Sequence, residues 1–182
     1  HADPDIIASL NKWMVATHCK VMISRLWTRF IPHFTTGKDY TSRIIGIPDE
    51  GMNILLGENL IKALPAHFMH SEGNFQFYDP VSRILFSGDM GASLVDHTQA
   101  AEPVRNFDDH VVTMAGFHRR YMISNKICRF WAKMVRQLDV EMIVPQHGCR
   151  FEGKAMVNRF LDWIEQLPCG VDVMTQDNYR VP

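Results

Sequence analysis

The chain opens on His1-Ala2-Asp3-Pro4-Asp5, three residues of metal-ligand type at alternate positions. Alternate side chains of an extended segment leave on the same side, so an extended stretch here brings one imidazole and two carboxylates to one point. That donor set is hard to borderline and suits iron, manganese or zinc. Three ligands do not complete a site, and the rest of the chain supplies more at three places. They are residues 65–74 with His67 and His70, Ser87-Gly88-Asp89, and residues 144–148 with His147. Each lies just beyond an apolar, strand-like run, where loops gather at one edge of a sheet and make a site.

The elements that must carry these residues are legible from periodicity. Pro4 suits a first helical position, and Ile6, Ile7, Leu10, Trp13 and Met14 repeat at helical spacing, which predicts a helix over 5–15. A strand follows over 20–24, then a second helix capped by Ser24 and carrying Leu26, Trp27, Phe30 and Ile31, then a loop over 33–39. Strands are expected over 43–47, 52–56 and 60–64. Residues 74–78 alternate polar and apolar as a half-buried strand does, and 83–87 return as the hairpin partner across Asp79-Pro80-Val81-Ser82. Residues 88–108 read mostly as loop and 110–138 as helix, broken near Ser124-Asn125. A short strand over 141–145 leads to a last helix over 153–166, with Met156, Phe160, Ile164 and Leu167 on its core face. This order implies a layered α/β domain.

The totals set bounds. With 182 residues, 46% of them hydrophobic, the chain has the material for one globular domain spanning 1–182. A formal net charge of −1 shows no polyanion footprint, which argues against nucleic acid as the main partner. The four cysteines are scattered, with no C-x-x-C pair; this argues against a zinc ribbon or a disulfide scaffold and leans to a reducing, cytoplasmic compartment. No apolar run approaches the roughly 20 residues of a membrane span, and no signal peptide is visible. The eleven methionines read as core gap-fillers. His18, His33, His97 and His110 read as surface or supporting histidines, and Glu72 as an exposed carboxylate.

Taken in order, the four motifs resemble the metallo-β-lactamase fold superfamily, and within it the di-iron branch. The zinc hydrolases of that superfamily carry His-x-His-x-Asp-His in the first motif, whereas the flavodiiron proteins carry His-x-Glu-x-Asp. Here the motif is His-x-Asp-x-Asp followed by Ile6, closer to the carboxylate-rich pattern. The stretch from Phe117-His118-Arg119-Arg120-Tyr121-Met122 to Ser124-Asn125 narrows the resemblance to bacterial oxygen-binding di-iron proteins that lack a flavodoxin domain. The resemblance covers nearly the whole chain. It implies an αββα sandwich whose N-terminal strands are missing from this chain, because family members have strands ahead of the first motif.

What the resemblance implies for the site is a pair of iron ions in an Fe-O-Fe type centre, with no integral FMN. One iron takes His1, Asp3 and His70, the other Asp5 and His147, and Asp89 bridges them. His70 is preferred to His67 because it directly precedes the family-like Ser71-Glu72-Gly73-Asn74. Asp3 stands where the family has Glu; one methylene shorter, it is expected to reach only with backbone adjustment or through water. His118 or Tyr121 is a candidate donor of a hydrogen bond to bound O2, with a solvated helix face as the alternative for that stretch.

Two functions compete. One is a non-haem di-iron protein that binds or reduces O2, with NO as a related substrate, working with an external electron donor or as a sensor with a signalling partner. The other is a dinuclear zinc or manganese hydrolase using a metal-bound water; its His-rich first motif is absent here. Whether the chain is an enzyme stays open between these. A homodimer, paired head to tail, is implied by the resemblance alone.

Overall fold

The computed structural model describes residues 1–36 and 39–182; Gly37 and Lys38, inside the loop expected over 33–39, lie outside the described residues. Two strands, β1 (Val21–Ser24) and β2 (Ile44–Ile47), pair in parallel as a small sheet. The main sheet has six strands in sequence order: β3 (Met52–Leu56), β4 (Asn59–Pro65), β5 (Phe75–Asp79), β6 (Ile84–Gly88), β7 (Met142–Pro145) and β8 (Phe151–Glu152). The helices are α1 (Pro4–Ile7), α2 (Leu10–Ala16), α3 (His97–Ala100), α4 (Phe107–Tyr121), α5 (Asn125–Val135) and α6 (Lys154–Gln166). Strands β3 to β6 form an antiparallel meander, and β7 joins β6 in parallel. Strands β4, β6 and β7 therefore run the same way, and their carboxyl ends meet at one edge. None of the described helices is long and apolar enough to cross a membrane.

Strand β5 shows how the layers arise. Successive side chains alternate faces, so Phe75 and Phe77 turn to the small sheet, packing with Ile47, Ala63 and Met22. Tyr78 turns the other way, into the main core with Leu85, Ile143 and Phe151 of the sheet and Met114, Trp131 and Phe160 of the helices. The alternating pattern predicts solvent beside Gln76, and the structure corrects this: Gln76 is fully buried. Its amide donates to the Ser87 carbonyl at 2.9 Å and accepts from the Trp131 indole N–H at 2.8 Å. A polar residue satisfied inside looks, in sequence, like one facing water.

The N-terminal third departs from the sequence reading in detail. The helix expected over 5–15 is split into α1 and α2, because Ser9 leaves the helical region at φ −96°, ψ 3°. Met14 is buried, but Trp13 is exposed. The second helix is a 3₁₀ helix over Arg25–Phe34, with Pro32, which has no N–H, inside it. Ser24 caps it as expected, accepting from the Leu26 N–H at 3.2 Å.

The long helical stretch breaks where expected, between α4 and α5. Asn125 sits at the start of α5 and donates its amide to the carbonyls of Glu165 and Leu167 at 2.9 and 3.0 Å, satisfying the end of α6. Besides short 3₁₀ turns, a helix and a strand are new relative to the sequence reading. In the region expected as loop, α3 is held by a capping box in which Asp96 accepts from the Thr98 and Gln99 N–H groups. Strand β8, of two residues, completes the sheet edge. On α6 the core face carries Val157 and Leu161 beside Phe160, Ile164 and Leu167, while Met156 is half-buried.

Candidate metal centre

The edge where β4, β6 and β7 end collects three of the four motifs: His70 follows β4, Asp89 follows β6 and His147 follows β7. The first motif arrives from α1. Asp3 is its N-cap, still extended at φ −74°, ψ 154°, and Pro4 begins the helix. The expectation that His1, Asp3 and Asp5 converge on one point is therefore corrected. The helix begins between Asp3 and Asp5 and sends the two carboxylates to different partners.

Asp3 Oδ2 lies 3.0 Å from His1 Nε2 and 3.6 Å from His70 Nε2. Asp89 Oδ2 lies 3.3 Å from His1 Nε2 and 3.0 Å from His70 Nε2. His1, Asp3, His70 and Asp89 each offer a ligand atom within 4.8 Å of the others. Asp3 reaches this group with its short side chain. On the other side, Asp5 Oδ2 lies 3.0 Å from His147 Nε2, and Asp89 Oδ1 lies 3.8 Å from the same nitrogen. Asp89 thus turns one oxygen to each group.

The donor set fits a pair of cations. Three carboxylates share one edge, and His1 Nε2 is buried and, although Asp3 Oδ2 is 3.0 Å away, makes no hydrogen bond among the described residues. Its other nitrogen, Nδ1, is 3.3 Å from Asn74 Oδ1. With the proton on Nδ1, the Nε2 lone pair is left free for a metal, as ligating imidazoles require. Without a cation, protons hold the cluster. The hydrogen bond from His70 to Asp89 holds the His70 imidazole above its usual pKa despite burial. Burial pushes the Asp89 carboxyl up, but the His70 hydrogen bond and the charges of His70 and His147 outweigh it and bring it below the usual carboxylate range.

Buried polar contacts fix the loops. The Asn74 amide donates to the Met69 carbonyl, so one side chain orients His1 and anchors the residue before His70. Ser87 Oγ donates to the Met90 carbonyl at 2.6 Å, and the Gln146 N–H donates to the Gly88 carbonyl at 2.7 Å, on either side of Asp89. The Gln146 amide also donates to Asp5 Oδ2 at 3.0 Å. The Ser93 N–H donates to the His147 carbonyl at 3.2 Å. At Gly148, with φ +87°, a Cβ would fall 1.9 Å from Ser93 Oγ and 2.8 Å from the Ser93 carbonyl oxygen. Gly148→Ala is expected to lower stability by about 2–4 kcal/mol, from strain and clash together. A denaturant midpoint equal to that of the parent would show that this contact yields.

The remaining candidates resolve as follows. His67 turns away: its Nε2 is 2.7 Å from the Asp49 carbonyl and its ring packs edge-on to Phe75. His118 is corrected as a donor to a bound diatomic. It is fully buried, its Nδ1–H donates to the Met114 carbonyl at 2.8 Å, and its Nε2 accepts from the Gly91 N–H at 2.9 Å. No N–H remains to offer, and burial pushes the imidazole down to about 4, so it is neutral at physiological pH. It anchors the loop after Asp89 instead. Tyr121 is exposed, stacked on Phe117, with its ring centroid 5.4 Å from that of His70. A mouth of about 450 Å³ opens beside His70, lined by Asp3, Trp27, Phe30, Phe34 and Glu72. Ile6, where the zinc hydrolases place a histidine, lines an apolar cavity with Phe75 and Phe77. Sequence reasoning assigns no role to Asn74 or Gln146; the signals are membership of the family-like Ser71-Glu72-Gly73-Asn74 stretch for the one and adjacency to His147 for the other.

Comparison with known proteins adds an independent line. No curated protein matches the chain. The solved structure "Peroxy diiron species of chemotaxis sensor ODP" is 43% identical, with a TM-score of 0.88 over 99% of this chain and 73% of that one. The apo state of chemotaxis sensor ODP from T. denticola is 44% identical, with a TM-score of 0.86 over 99% of this chain and 72% of that one. Rubredoxin oxygen:oxidoreductase from the anaerobe Desulfovibrio gigas is 14% identical, with a TM-score of 0.78 over 91% of this chain and 42% of that one; at this identity the likeness concerns the fold alone. The mixed α/β architecture is thus the metallo-β-lactamase-like one expected from the four motifs. A family model described as "ODP family beta lactamase" matches residues 1–148, and the chain belongs to that family.

Proposed function

We propose that the chain is a non-haem di-iron protein that binds O2 as a sensor. The observation that carries this is Asp89, whose two oxygens face His1 and His70 on one side and His147 on the other. One carboxylate so placed is poised to bridge two cations, and the relatives at 43% and 44% identity are described as a chemotaxis sensor, one of them as a di-iron species. His1, Asp3 and His70 would hold one iron and Asp5 and His147 the other, with Asp89 facing both. Two irons bound there supply open coordination positions and redox-active electrons for a diatomic ligand.

The chain's own residues do the rest. Asn74 fixes the His1 tautomer, and the Asp89 carboxylate offsets the charge of both cations. Trp27, Phe30 and Phe34 give the mouth apolar walls. The Tyr121 ring lies 5.4 Å from that of His70, which brings its phenol near the site as a hydrogen-bond donor. In this reading the protein works in the cytoplasm, where its free thiols stay reduced. It acts on a signalling partner, as a homodimer; an external electron donor belongs to the alternative in which the centre reduces O2.

Anaerobic loading with Fe(II) tests it. Elemental analysis is expected to give about two irons per chain, and admission of air a new visible absorption. Zinc held in preference to iron, together with hydrolysis of a generic ester, would sink the reading.

A further inference from the structure

The residues around the two iron positions differ in number, burial and support. The first position gathers His1, Asp3 and His70, with side-chain exposures of 5%, 44% and 18%. Among the described residues the second has only Asp5 and His147, exposed at 47% and 54%. Asp89, exposed at 11%, serves both. More ligands and a drier surround both strengthen a cation's hold, because each ligand adds a bond and low dielectric strengthens each charge interaction.

The second position also depends on one contact that the first lacks. Asp5 lies within the first turn of α1, a helix of four residues with no buried side chain. Its Oδ2 accepts from the Gln146 amide at 3.0 Å, and this is the contact that directs it to His147. Gln146 is itself tied to the strand edge through its backbone N–H, which donates to the Gly88 carbonyl. Its side chain is exposed, so substitution leaves the core untouched.

We propose that the two positions load in sequence, the His1–Asp3–His70 position first. The Asp5–His147 position is weaker and set by Gln146 as a positioning residue. This inference rests on the di-iron reading and concerns metal binding, not the chemistry that follows. It makes the second position the one that empties when iron is scarce.

The test is calorimetric titration of the metal-free full chain with Fe(II) under anaerobic conditions. The parent protein is expected to show two phases separated by at least about tenfold in affinity. Gln146→Leu is expected to weaken the second phase by about 10–100-fold and to leave the first within about twofold. A second phase that stays at the parent affinity in Gln146→Leu would overturn the proposal. Equal affinities in the parent, or equal weakening of both phases in Gln146→Leu, would overturn it as well. No Fe(II) binding at all would instead remove the di-iron reading on which it stands. The melting temperature of the metal-free variant is expected to match the parent, which separates loss of binding from loss of fold.

Discussion

Asp89→Asn is expected to empty both metal positions. The substitution keeps size and shape but removes the one charge that both sides share. At an effective dielectric of 20, a unit charge about 4 Å from another contributes about 4 kcal/mol, or about a thousandfold in affinity. The loss applies twice, so dialysed protein is expected to fall from about two irons per chain to near none. Asp5→Asn removes a charge facing His147 alone and is expected to lose only that position. The metal-free Asp89→Asn protein should still fold, because the core below the site is apolar and Ser87, Gly88 and Gly91 keep their loop contacts. Iron retained at the parent level in Asp89→Asn would show that Asp89 is no bridge.

Much of the fold was legible in the sequence because its main elements obey simple periodicities. The hairpin of β5 and β6 and the break before Asn125 all follow from pattern and turn chemistry. The collection of His70, Asp89 and His147 at one edge was legible too, since each follows an apolar run. What escaped was direction. Whether Asp3 and Asp5 meet one partner or two depends on where helix α1 begins, and a shift of one or two residues is beyond periodicity. Gln76 and His118 escaped for a related reason. Both are polar residues whose partners lie far along the chain, Trp131 in one case and Gly91 in the other. Nothing local distinguishes a satisfied buried amide or imidazole from an exposed one. Asn74 and Gln146 act through ligands that fold beside them from the other end of the chain.

His118 also makes stability depend on pH, and the second large effect follows from it. In the folded chain burial pushes its imidazole down to about 4, with the Met114 hydrogen bond and the charge of Asp89 acting weakly in the opposite sense. In the unfolded chain it titrates near the ordinary value of about 6.5. The unfolded state therefore binds the proton first. The stability this group contributes is complete above about pH 6.5 and is lost as pH falls towards 4, by about 3 kcal/mol in all. His118→Phe removes the titration and leaves the Gly91 N–H without its acceptor, amid Phe117, Phe160 and Trp163. At pH 7 the variant is expected to lose about 2–4 kcal/mol, the cost of an unsatisfied buried donor and altered packing. Between pH 6.5 and 4 its stability should then fall less steeply than that of the parent. Carboxylates contribute the same background slope to both proteins, so the difference between the two curves isolates His118. Denaturant melts of metal-free protein across that range measure it directly. Parallel curves would mean that His118 is solvated, and that the loop after Asp89 is held by other contacts.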